Sequence, residues 1–188
     1  MSILKCRPAS PNRRQSVFPA ALAVLFVGFS QVDAQGVYAG GAFGGGVAIL
    51  PGSHIEYFEC NVKATGDGSA KGNIKFAQRG EGGIWFASHF RADCIHFLQD
   101  GRTAIVACTV VNDTDPEFIG TTATFTVRDN GHGPNAPPDE FTGVFYALNN
   151  PDVDEWTCES VLQWLDDEGL TVDDFLTPFS PGNFHVRP

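Results

Sequence analysis

Residues 121–128 read Thr-Thr-Ala-Thr-Phe-Thr-Val-Arg. Ala123, Phe125 and Val127 alternate with Thr122, Thr124, Thr126 and Arg128, the period-two pattern of a strand with one face on a core and the other in water. Outward from this segment, short β-branched and aromatic runs recur near 46–50, 53–62, 71–77, 84–98, 102–111, 140–148 and 183–187. Between them Asp67-Gly68, Gly80-Glu81-Gly82-Gly83 and Asp100-Gly101 supply the positive φ that tight reversals require. Strands joined by short turns form an antiparallel meander. The expected fold is all-β, about eight strands in a barrel or coiled β-sandwich, with one α-helical insertion before the last strand. Arg91-Ala92-Asp93, midway along the long 84–98 run, is expected to mark a bulge. Gly40-Gly41 and Gly44-Gly45-Gly46 read as a glycine-rich lead-in to the first strand.

The helical signal occupies 151–178. Asn150-Pro151-Asp152 offers a start, Asp152 with Glu155 a capping-box-like pair, and Gly169 a stop. Cys158, Val161, Leu162 and Leu165 fall at i, i+3, i+4 and i+7, one apolar stripe that is expected to lie on the sheet with the cysteine as its covalent pin. Thr171 and Asp174 are spaced to cap one further turn before Pro178.

At the other end of the chain, Lys5, Arg7, Arg13 and Arg14 precede an apolar run from Val17 to Phe29, and Val32-Asp33-Ala34 gives a small-residue cleavage site. Residues 1–34 therefore read as a secretory signal peptide and 35–188 as a single β-domain. The apolar run is too short to span a bilayer, so no stable membrane anchor is expected. The implied location is extracellular, or periplasmic if the source is a diderm bacterium. Removing the leader takes four of the 12 basic and one of the 22 acidic residues, leaving 8 against 21 and a formal charge of −13. Such a surface repels nucleic acid and anionic lipid; beyond that it accounts for solubility rather than activity.

Cys6 lies in the leader, and Cys60, Cys94, Cys108 and Cys158 remain. An even number in an exported chain reads as two disulfides, with three pairings open. Cys94 and Cys108 flank Gly101 symmetrically, so a three-residue loop would set them opposite each other. The expected pairs are Cys94–Cys108 and Cys60–Cys158. A two-residue Asp100-Gly101 turn would instead put Ala107 opposite Cys94.

No motif names a substrate or a reaction. His54, His89, His96, His132 and His185 sit on separate segments without paired ligand spacing, so no histidine metal site is expected. Ser53, Ser69, Ser88, Ser160 and Ser180 lie outside any nucleophile elbow. Asp113, Asp115 and Glu117 in one loop, and Asp129, Asp139 and Glu140 in another, are expected at one end of the strands, where their oxygens would suit calcium. No EF-hand pattern supports them. Most aromatics alternate inward, but Trp156 and Trp164 fall off the helix stripe and are the candidates for a ligand surface over a barrel mouth. Asn112-Asp113-Thr114 is an acceptor sequon, meaningful only in a glycosylating eukaryote. Two readings follow. One is a secreted, disulfide-stabilised, non-catalytic binding or structural module with no cofactor and an unknown small-molecule or protein ligand. The alternative is an extracellular hydrolase or isomerase-like barrel using His89, His96, Asp129 and Asp139 as acid–base residues. They separate on whether those groups face inward.

Asp67-Gly68-Ser69-Ala70-Lys71-Gly72-Asn73-Ile74-Lys75-Phe76, Cys94, Asp100-Gly101-Arg102-Thr103-Ala104 and Phe125-Thr126-Val127-Arg128-Asp129-Asn130-Gly131 with Asp139 and Phe141 together resemble a family of small secreted β-domains in bacterial exported proteins of unknown function. The closing Gly182-Asn183-Phe184-His185-Val186 looks like that family's terminal strand. The resemblance covers residues 37–148 and 181–188; it implies an all-β fold and export and brings no catalytic residues with it. The 151–178 segment departs from the pattern as an insertion.

Material recovered after export is expected to begin at Gln35, and N-terminal sequencing or intact mass checks this. A mass retaining residues 1–34 contradicts it.

Overall fold

A computed structural model describes residues 40–50, 54–79, 85–133, 135–150, 153–179 and 182–188. Within them the alternating segments pair into one antiparallel sheet of β1 (Gly41–Leu50), β2 (His54–Ala64), β3 (Ala70–Arg79), β4 (Trp85–Phe97), β5 (Thr103–Asp113), β6 (Thr122–Arg128), β7 (Glu140–Phe141), β8 (Phe145–Tyr146), β9 (Thr177–Pro178) and β10 (Gly182–Arg187). The order β10-β1-β2-β3-β4-β5-β6-β7-β9, with β8 also on β6, is the expected meander, and it curls into a half-barrel. One helix, α1 (Cys158–Glu168), precedes the final strands. The expected signal segment, the 80–83 turn, Ser53, Ser180 and the Pro151-Asp152 helix start lie outside the described residues.

Inward positions of successive strands supply an aromatic core of Phe58, Phe90, Phe125, Phe141, Phe179 and Phe184. Phe58 meets Phe141 at 4.3 Å and Phe125 at 4.7 Å between ring centroids, close enough for tilted and edge-on ring contacts to add to area burial. The 44–46 glycines are not a lead-in but the middle of β1. At Gly44 φ is 134°, and a Cβ there would stand 2.0 Å from the Asn183 carbonyl oxygen. Only glycine lets β1 run this close to β10.

The last strand leaves an edge of unpaired N–H groups, and two aspartates from across the seam accept them. Asp139 takes Phe184 N–H at 2.6 Å on one carboxylate oxygen and Asn130 N–H at 2.7 Å on the other, while its own carbonyl takes Phe179 N–H at 2.7 Å. Asp129 takes Val186 N–H at 3.3 Å. Nearby, the half-buried Arg128 joins Glu140 at 3.3 Å, Thr103 Oγ1 at 2.9 Å and Asp173.

The expected 140–148 strand divides into β7 and β8, both on β6. Thr142 bridges the break, its Oγ1 accepting Thr126 N–H at 2.9 Å. The bulge in β4 occurs where expected, with register shifts at His89/Phe90 and Ala92/Cys94. Helix α1 starts later than expected, at Cys158. Thr157 and Ser160 form its capping box, and Gly169 ends it at φ 67°. Thr171 and Asp174 cap the next turn as expected.

Val161 and Leu165 pack with Trp156, Val172 and Ala147 on Ile105, on the outer face of β5. The sheet here is covered on both faces. That corrects the reading of 121–128, because Thr124 and Thr126, expected in water, are buried beneath the insertion.

The pairing of cysteines also differs from expectation. The disulfide is Cys94–Cys158, with Cα atoms 6.0 Å apart, and Cys60 and Cys108 are buried free thiols. The cause is parity. Leu98 and Thr103 close the turn, so Cys94 faces Ala107 on the outside of the sheet while Cys108 faces Ala92 in the core.

Non-reducing peptide mapping is expected to yield a Cys94–Cys158 fragment. Losing it in Cys94→Ala/Cys158→Ala should cost about 4 kcal/mol for a loop of this size in the chain-entropy model. Leu165→Ala should cost about 2 to 5 kcal/mol by denaturant melting.

Candidate functional site

The buried polar side chains include two, Glu56 on β2 and Ser88 on β4, that the sequence does not mark as candidates for chemistry. Ser88 follows the inward parity of Phe90 and donates to an Asp113 carboxylate oxygen. Its oxygen lies 2.7 Å from the Tyr146 hydroxyl, a pair in which either oxygen can donate. Burial pushes the Tyr146 phenol up to about 12; the Ser88 contact opposes this, and the charges of Asp113 and Glu56 add to it.

Phe76, Phe86 and Phe118 wall the space above this triplet, with Gln78 and Asn149 at its edge, in a cleft of about 250 Å³. Tyr146 and Asn149 also line a second cleft of about 360 Å³, bounded by Phe145, Trp156, Trp164 and Phe175 under the insertion. The two clefts share Tyr146 and Asn149 in their walls, which makes them one candidate groove with Tyr146 common to both parts. Trp156 is buried and stands edge-on to Trp164 at 5.7 Å. Its indole N–H is buried and has no hydrogen-bond partner among the described residues. Phe86 is 50% exposed, a large apolar ring left open to solvent beside buried polar groups.

The sequence-derived candidates distribute otherwise. His89 and His96 are exposed on the outer face of β4. Asp139 is buried with both carboxylate oxygens engaged at the seam, and Asp129 lies there beside it. These four do not converge on one cavity, so the acid–base set of the enzyme reading does not assemble. The two acidic loops, expected at one end of the strands, flank β6 at opposite ends: Asp113, Asp115 and Glu117 precede it, and Asp129, Asp139 and Glu140 follow it. Antiparallel hairpin geometry separates them by the length of β6.

Trp156 and Trp164 do line a cleft. Ser88, Tyr146 and Glu56 were not foreseen; the signal for Ser88 was its inward parity with Phe90, the same alternation that separated it from His89. His132 and His185, assigned to separate segments, are in contact, with Nε2 and Nδ1 3.0 Å apart.

No protein-family model matches the chain, and no curated protein or solved structure matches it.

The raised Tyr146 value has a definite sign. Its folded value lies above the ordinary value of 10, so the stabilisation is complete below about pH 10 and is lost as pH rises toward about 12. Denaturant melts should show this alkaline loss in the native protein and a shallower one in Tyr146→Phe. Identical slopes would remove the phenol from the buried network.

Proposed function

We propose that this chain is a secreted, non-catalytic binding module that holds a small ligand in the groove around Tyr146. The observation that carries the reading is the aromatic wall of that groove, where Phe145, Trp156, Trp164 and Phe175 line one cleft and Ser88, Asp113 and Asn149 bring polar groups to the other. Trp164 and Phe175 supply ring faces at one end, and the Ser88–Asp113 pair with Gln78 and Asn149 supplies hydrogen-bonding groups at the other. Few polar groups converging on an aromatic-lined hollow suit a compact molecule with an apolar face and several hydroxyls, of which a sugar ring is the simplest.

Export is supported by the basic, apolar and small-residue order of 1–34, by the turn-motif resemblance, and by a disulfide that persists in oxidising compartments. A non-catalytic role is supported by the groove's polar set. Ser88 and Asp113 have no histidine between them, and the Tyr146 phenol is held in its protonated form.

Titration of short soluble oligosaccharides, followed by calorimetry and by tryptophan fluorescence, tests the reading. Saturable binding is expected, weakened about tenfold in Trp164→Ala and in Ser88→Ala while their melting remains cooperative, a loss of about 1.4 kcal/mol each. An absence of saturable binding, or binding indifferent to both substitutions, overturns it.

A further inference from the structure

Outside the groove, the barrel seam gathers three side chains with metal-ligating atoms. Asp129, His132 and His185 each bring one such atom, and all three atoms lie within 4.8 Å of one another. The gathering follows from the fold. Phe184 and Val186 of β10 are buried, so His185 between them points outward. The chain leaving β6 turns at Gly131 and Gly133, both at positive φ (88° and 128°), and this reversal carries His132 over β10. The ring nitrogens His132 Nε2 and His185 Nδ1 then stand 3.0 Å apart.

We propose that Asp129, His132 and His185 form a surface site for a zinc-class divalent cation, with solvent completing the coordination. Two imidazoles and one carboxylate suit zinc, copper or nickel better than calcium or magnesium, which seek oxygen. Zn–N bonds of about 2.0 to 2.1 Å at a tetrahedral angle set two nitrogens about 3.3 Å apart. The present spacing needs an adjustment of only a few tenths of an ångström. Asp129 accepts Gly131 N–H at 2.8 Å and Val186 N–H at 3.3 Å, and each carboxylate oxygen keeps a further lone pair for a cation. Those two backbone bonds also hold the carboxylate in place.

Asn183 supplies the outer layer. Its side-chain amide lies 3.1 Å from His185 Nε2. A half-turn of the amide presents its oxygen to Nε2–H and leaves the Nδ1 lone pair facing His132, the tautomer a metal requires. Asp129 and His132 follow β6 whereas His185 belongs to β10, so a bound ion would tie together the two sides of the seam that Asp139 already joins. Binding to the folded state alone raises the melting temperature as metal concentration rises.

Calorimetry and thermal melting of tag-free, metal-stripped protein with zinc chloride test the site. One ion per chain is expected, with a saturable rise in melting temperature. His132→Ala and His185→Ala should each weaken binding more than the roughly tenfold loss expected for Asn183→Ala. His132 is exposed and His185 half-buried, and metal-free melts of each variant, with His132→Gln as a second version, verify that folding is intact. His96→Ala should bind as the native protein does. No uptake of zinc, copper or nickel overturns the site, as does undiminished affinity in either histidine variant or an equal melting rise with calcium chloride.

Discussion

One buried carboxylate holds the two sides of the sheet together. An antiparallel meander with β10 at one end exposes that strand's outer row of N–H groups, and an open row of this kind is both unsatisfied and prone to pairing with another chain. Asp139 accepts the Phe184 N–H and Asn130 N–H with its two oxygens, and Asp129 takes the Val186 N–H. Bonds from backbone N–H groups to an ionised acceptor are each worth about 1.5 to 3 kcal/mol, more than a neutral ladder bond. The clasp brings Phe179 and Phe184 over Phe58 and Phe141 and so completes the aromatic core. The same seam sets His185 against His132.

The second organising element is the insertion. β5 and β6 are the strands it covers, and they are buried on both faces, whereas β2 and β3 alternate between core and solvent. A half-barrel leaves apolar surface on the outer side wherever its sequence is uniformly apolar, as at Ala104–Cys108, and α1 lies over that stretch. The Cys94–Cys158 bridge fixes the helix start to β4. The Tyr146 groove results from this arrangement, for its second cleft lies between the covered sheet and the tryptophans of the insertion.

The meander, the β4 bulge, the Gly169 stop and the Thr171–Asp174 cap were legible in the sequence because each rests on local chemistry: alternation, positive φ, or a side chain three residues from the N–H it satisfies. What was not legible depends on counting across a turn or on meetings far along the chain. One residue of loop parity between Leu98 and Thr103 decides whether Cys94 looks out toward the helix or in toward Cys108. His132 and His185 lie 53 residues apart, and no spacing rule for metal ligands covers that interval. Asp139 read as an ionisable group on a loop; its burial follows only from where β10 ends up. The burial of Thr124 and Thr126 likewise requires knowing what the insertion covers.

The two cysteines left unbridged among the described residues have a bearing on how the chain oxidises. Cys60 and Cys108 point into the core, their sulfurs near the Ala42 and Ala123 carbonyls, and burial pushes the Cys60 thiol up to about 12 and Cys108 well above its usual range. Thiol exchange needs a thiolate within reach of its target, and neither group provides one after the sheet has closed. Order of events therefore selects the bridge. If β2 and β5 pack first, only the outward sulfurs remain available to an oxidant, and the protein reaches one linkage without isomerase proofreading; oxidation ahead of packing would leave Cys60, Cys94, Cys108 and Cys158 all competing on an open chain.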